Sequence, residues 1–164
     1  MNNVFFSGLV QVEEANGAVK GTVGTVPVWT NKPDIGGKLM ERNGKYALVQ
    51  GVASAREKDG RYYNSLFMYD VVPAGPDTHA GTLYARGIIE AVRTIKQGFH
   101  ELILATNRNG RTNYIALSTN EDYSDLVGKE ATVVAQVSGR DGRWLDFRSD
   151  WVFVEGVART DLPF

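Results

Sequence analysis

The chain has no cysteine among its 164 residues, which excludes disulfide staples, thiolate metal sites and thiol nucleophiles. Histidine is almost as scarce. His79 and His100 have no metal-ligand spacing between them, and this argues against a metal site. No apolar run is long enough to span a bilayer, and Met1-Asn2-Asn3-Val4 lacks the basic and apolar regions of a secretory signal. The expected compartment is therefore the cytoplasm. Neither a Gly-Lys-Ser or Gly-Lys-Thr phosphate loop nor a Gly-x-Ser-x-Gly elbow occurs, and the acidic residues fall mostly on turns, where solvated carboxylates outnumber magnesium sites. These absences predict a non-catalytic protein without metal or cofactor. Charge of either sign is not in excess: 18 Lys and Arg stand against 19 Asp and Glu. Bulk attraction to duplex DNA is thereby disfavoured, while a basic face opposite an acidic one stays open.

What the chain does have is 18 glycines and many Val and Thr residues, a balance that favours strands and turns. Asp141-Gly142-Arg143-Trp144 nearly repeats Asp59-Gly60-Arg61-Tyr62. Asp-Gly between β-prone runs marks a tight hairpin, so the chain builds one kind of hairpin twice. Leu83-Tyr84-Ala85-Arg86-Gly87-Ile88-Ile89 likewise matches Val4-Phe5-Phe6-Ser7-Gly8-Leu9-Val10. In each, a Gly at the fifth position signals a bulge or bend. Pro73 to Gly81 is the clearest break between the copies.

The first copy reads as strands over Val4–Val12, Val19–Trp29, Lys45–Ala55 and Tyr62–Val72, with a loop at 31–37 and a poorly determined segment at 38–42. In the second copy, strands over Leu83–Ile89, Phe99–Thr106, Thr112–Ser118, Glu130–Ser138 and Trp144–Val154 surround one short helix at Thr119–Gly128, which has capping and acidic first-turn residues. The expected fold is all-β: two tandem oligonucleotide-binding (OB) barrels, each a five-stranded Greek key, with one short helix. Residues 1–73 form the first barrel, 74–81 a linker, 82–157 the second barrel and 158–164 a terminal tip. One larger β-sandwich is the alternative.

An Arg beside an aromatic on an exposed hairpin suits unpaired bases, which stack on π-faces while cations hold phosphate. The candidates are Trp29, Lys45, Arg56, Arg61, Tyr62 and Tyr69 in the first copy. In the second they are Arg86, Arg108, Arg111, Tyr114, Arg143, Trp144 and Arg148. Strand alternation puts Trp144, Asp146 and Arg148 on one face, opposite Leu145 and Phe147.

Three passages resemble the bacterial single-stranded DNA-binding protein family. Met1 to Leu9 is similar to its Asn-x-Val-x-Leu-x-Gly start, and Ala105 to Ile115 to its second and third strands. Asp161-Leu162-Pro163-Phe164 resembles its partner-docking tip. Family members commonly carry one OB domain, a long flexible tail and several acids in the tip, whereas the last five residues here hold only Asp161. The resemblance implies largely sequence-independent single-stranded DNA binding in replication, repair and recombination, with protein partners docking on Asp161 to Phe164. It also implies a homo-oligomer, with a dimer favoured. A β-barrel interaction or structural module without nucleic acid is the competing reading, its aromatics buried against protein.

Overall fold

The computed structural model describes residues 2–77 and 81–157. Ten strands account for most of them: β1 (Asn2–Ala15), β2 (Val19–Val23), β3 (Val26–Thr30), β4 (Tyr46–Lys58) and β5 (Arg61–Pro73), then β6 (Thr82–Lys96), β7 (Phe99–Arg108), β8 (Arg111–Thr119), β9 (Glu130–Arg140) and β10 (Trp144–Val154). All belong to one ten-stranded sheet. The chain is thus all-β, with one short α-helix, α1 (Pro33–Glu41), and a 3-10 turn at Ser124–Leu126.

The two copies repeat one order, three strands, a helical segment, then a long hairpin. In the second copy the hydrogen-bonded neighbours run β6-β7-β8-β10-β9 and return to β6, the β8–β10 step being parallel at Ser118 and Arg148. In the first copy the run β3-β2-β1-β4-β5 has no β3–β5 pairing among the described residues. The copies meet where β1 pairs antiparallel with β6, and here Val4 lies opposite its own counterpart Leu83. Asn3 opposite Tyr84 and Phe5 opposite Thr82 flank that pair on either side, so a local two-fold axis passes through it, as at an isologous interface.

Why β1 and β6 each serve two partners follows from their glycines. β1 pairs with β4 up to Leu9 and with β2 from Val10 on. At the changeover the backbones come so close that a Cβ on Gly8 would lie 2.6 Å from the Gly24 nitrogen. Gly87 of β6 sits as tightly against Ala105. Positive φ occurs at Asp59 and Gly60 and again at Asp141 and Gly142, as Asp-Gly implies, but the hairpins are not of one kind: the first turn has two residues, Lys58 pairing with Arg61, and the second has three, Arg140 pairing with Trp144.

One core cluster draws on both copies, with Phe6, Leu39 and Val49 from the first and Leu83, Leu104 and Phe147 from the second, all almost fully buried. Alternation along β10 runs as expected, Leu145 and Phe147 inward, Asp146 and Arg148 outward.

Three further expectations need correction. The helix lies at Pro33–Glu41, in the expected loop and the segment after it, not at Thr119–Gly128. Pro33 opens it, Asp34 stands in the first turn, and Ile35 and Leu39 bury one face. Gly36 reads as a breaker but permits packing, since a Cβ there would lie 2.9 Å from Val19 Cγ2. At 119–128 the Asp122 carboxylate accepts the Ser124 N–H, and the helical geometry stops after three residues. Finally, Val19–Trp29 is two strands, β2 and β3, folded back on each other at Gly24 and Thr25.

Candidate nucleic-acid interface

The two Asp-Gly-Arg hairpins cross over. The β9–β10 hairpin of the second copy lies against the gap between β3 and β5 of the first, and the β4–β5 hairpin of the first lies against β8 and β10 of the second. Each crossing leaves a cleft.

The first cleft, about 420 Å³, is walled by Lys20 and Trp29 of the β2–β3 ribbon, Leu66 of β5, and Arg143 and Trp144 of the opposite hairpin. Lys20 and Trp29 are register partners across the β2–β3 turn, which places them side by side. Trp29 is 55% exposed. The Arg143 guanidinium lies 4.7 Å from the Trp144 ring centroid, and Trp144 in turn packs at 5.3 Å on Tyr63. That combination gives a cation above an indole already held in place. The hairpin is seated by the close packing of Gly139 on Pro27 and Thr25. No carboxylate lines this cleft, and among the described residues neither Lys20 nor Arg143 forms an ion pair.

The second cleft, about 400 Å³, contains Arg61, Tyr62, Arg93, Arg140 and Arg148, but also Glu101 and Asp146. Arg93 pairs with Glu101 at 2.8 Å and donates to the Gly60 carbonyl. Arg140 donates to the Tyr62 carbonyl at 3.2 Å, stands 3.8 Å from Asp146 and lies over the Tyr63 ring. Burial pushes the Asp146 carboxyl above its ordinary range despite Arg140. Tyr62 is half-buried against Ala55, Ile103 and Ala116, and burial, aided by Glu57, raises its hydroxyl pKa. Asn64, 4% exposed, closes the seam: its amide donates to the Ala116 carbonyl at 2.9 Å and the Leu145 carbonyl at 3.1 Å and accepts the Ala116 N–H at 3.0 Å.

Of the residues singled out in the sequence, Trp29, Arg143 and Trp144 therefore meet in the first cleft, and Arg61, Tyr62 and Arg148 in the second. The sequence matches no family model, and no curated protein matches it. The other candidates are dispersed. Arg108 and Arg111 face each other at the β7–β8 turn, with Tyr114 farther along β8 opposite Ala105. Arg86 is ion-paired to Glu130 at 2.6 Å. Arg56 is exposed opposite Tyr63 on the β4–β5 hairpin. Lys45 is exposed ahead of β4, its carbonyl accepting the Val10 N–H. Tyr69 lies on another face and donates to Asn3. Asp161, Leu162, Pro163 and Phe164, like His79, lie outside the described residues.

Lys20 and Asn64 escaped the sequence reading. Lys20 would have been found by folding Val19–Trp29 at Gly24, which brings it opposite Trp29. Asn64 was signalled only by an amide in mid-strand, where a buried polar group needs partners.

His100 is buried, its Nδ1 2.9 Å from Thr94 Oγ1. Among the described residues no three metal-ligating side chains gather, and no helix is long and apolar enough to cross a membrane.

Proposed function

We propose that the chain binds single-stranded DNA without catalysis and with little sequence preference, its two copies acting as OB barrels. The observation that carries this reading is the first cleft, where two indoles and two cations converge with no carboxylate among them. Base stacking on such platforms tolerates any sequence, because every base has a π-face. Support for the OB assignment comes from the ring of strand pairings in the second copy, with its parallel β8–β10 step. The likeness of Met1 to Leu9 and Ala105 to Ile115 to the single-stranded DNA-binding protein family adds to it. Docking of replication or repair proteins on Asp161 to Phe164 and a cytoplasmic location belong to the same reading.

Titration of labelled oligo-dT by fluorescence anisotropy at several salt concentrations tests it. Affinity falls as salt rises, through counterion release; absence of binding at low salt overturns the reading.

A second observation favours self-association. The continuous antiparallel run β5-β4-β1-β6-β9-β10 exposes Phe5, Phe67, Tyr69, Tyr84, Trp151 and Phe153. Exposed apolar surface of that kind marks interaction sites. Two opposite-signed pairs stand at this face, Arg86 with Glu130 and Lys38 of α1 with Asp70, and they lessen the repulsion between two copies. A dimer mass by sedimentation equilibrium is expected, reduced to monomer by Trp151→Glu; a monomeric mass for the unaltered chain overturns the dimer.

A further inference from the structure

We infer that the two seams have diverged in role. The β3–β5 gap of the first copy is the base-stacking groove, a hybrid site completed by Arg143 and Trp144 of the second copy, and the β8–β10 seam is a structural joint sealed by Asn64. This inference rests on the proposed DNA binding and adds which copy carries it.

Both seams occupy corresponding places, and each is crossed by the other copy's hairpin; they differ in side chains and in the turn of the visiting hairpin, which spans residues 59–60 in one and 141–143 in the other. At the second seam β8 and β10 are already bridged by Ser118 and Arg148, and Asn64 stands in for a further peptide unit. Both ends of its amide are used, on Ala116 and on Leu145. A ligand entering there would strip partners from buried backbone groups, which is costly. It would also meet Glu101 and Asp146, whereas two of the cleft's four arginines, Arg93 and Arg140, are already engaged by those carboxylates and by the hairpin carbonyls.

The first seam has none of these features. β3 and β5 share no pairing among the described residues; β5 instead meets β10, at Asn64 opposite Leu145, and β3 ends its run of strands. In sequence Asn64 matches Asp146, but the β9–β10 turn is one residue longer, Trp144 pairing with Arg140 where Arg61 pairs with Lys58, so Asp146 points outward into the second cleft beside Arg140 and no side-chain amide lines the first. The first cleft is therefore unplugged, and its charged lining, Lys20 and Arg143, is cationic. A phosphodiester strand finds favourable charge and two indole faces there, from elements far apart in sequence. Each hairpin thus does a different task for the other copy, one closing a seam and the other furnishing a platform.

The test uses the full chain and oligo-dT short enough to occupy a single cleft. Trp29→Ala and Trp144→Ala are expected to weaken binding about 5- to 150-fold each, the range for one lost stacking platform. Arg143→Ala should lower the slope of log affinity against log salt by about 0.7, the value for one phosphate contact on a single strand. Arg61→Ala and Arg148→Ala, in the second cleft, should leave affinity and slope unchanged, and saturation should come at one short oligonucleotide per chain. Circular dichroism melts of each variant separate lost binding from lost folding; Trp29 and Arg143 are exposed, so at least those two variants are expected to fold. Two equivalents per chain, or equal losses from Arg61→Ala and Arg148→Ala, overturn the inference while leaving DNA binding in place. No binding by the unaltered chain overturns both.

Discussion

Each copy sends a hairpin across the other's seam, with different results. The second copy's seam is closed by a buried asparagine from the first and by a parallel bridge; in the first the space stays open between an indole on β3 and another on the visiting hairpin. The repeated strand order supplies a related frame, and one extra turn residue with a few side chains decides what each seam does. The sharpest of these differences is that Asn64 is turned inward, where its amide satisfies three backbone groups, while Asp146, its match in sequence, follows a turn one residue longer and points outward.

The strongest test of how the copies depend on each other is in the shared core. Phe147→Ala is expected to cost about 3–5 kcal/mol. Because Phe147 shares one cluster with Phe6, urea unfolding followed by circular dichroism and by tryptophan fluorescence should shift as a single transition. Separate transitions would mean that the copies fold independently. Next in size is the seam itself. Asn64→Leu should cost about 1–3 kcal/mol, the penalty for leaving the buried Ala116 N–H without a partner, whereas Asp146→Leu, at an outward position in the same cleft, should cost less. Equal costs in denaturant melts would mean that Asn64 does not seal the second seam.

The copies also differ in their helical segment, and a smaller effect sharpens that contrast. Gly37→Ala in α1 is expected to stabilise by about 0.5–1 kcal/mol, because nothing lies within 4 Å of the added Cβ and alanine is the better helix former. Gly36→Ala should fail to stabilise, since its Cβ presses on Val19. Thermal melts of the pair check both signs.

The smallest effects are in the pH dependence, and here too the clefts and the outer surface differ. Burial raises the Asp146 pKa, with Asp141 adding to it and Arg140 opposing it. A carboxyl raised in the folded state favours that state while protonated, so its contribution is present below the ordinary Asp value and is lost as pH rises through the raised one. Asp146→Asn should therefore flatten the stability profile just above the ordinary Asp range. Glu130 is lowered, chiefly by its hydrogen bond from Arg86. Its contribution is present above the ordinary Glu value and lost as pH falls through the lowered one, so Glu130→Gln should remove a weak acid-side loss, screened by solvent. Stability against pH for the two variants should change with opposite slopes.

Much of the strand framework was legible because it rests on local chemistry. Asp59-Gly60 and Asp141-Gly142 need positive φ at the turn, and the runs beside them alternate, so hairpin positions and the inward set on β10 follow from sequence spacing alone. Repetition of Val4 to Val10 at Leu83 to Ile89 likewise marked two copies. The helix was not legible, because Gly36 is present for contact with Val19, and a contact across elements leaves no local signature. Nor was the turn at Gly24 and Thr25, where two short strands of like composition read as one. Trp29 and Trp144 were both identified, yet their meeting was not, since nothing in the spacing of one copy reports which seam its hairpin visits.

Three tryptophans make that meeting directly measurable, because Trp29 and Trp144 line the first cleft and Trp151 lies exposed on the outer sheet face. The decisive measurement is intrinsic fluorescence during oligo-dT titration of Trp151→Phe beside Trp29→Phe and Trp144→Phe. Quenching retained in the first variant and reduced in each of the other two is the predicted result. Quenching that disappears with Trp151, or that is indifferent to Trp29 and Trp144, would contradict a stacking groove shared between the two copies.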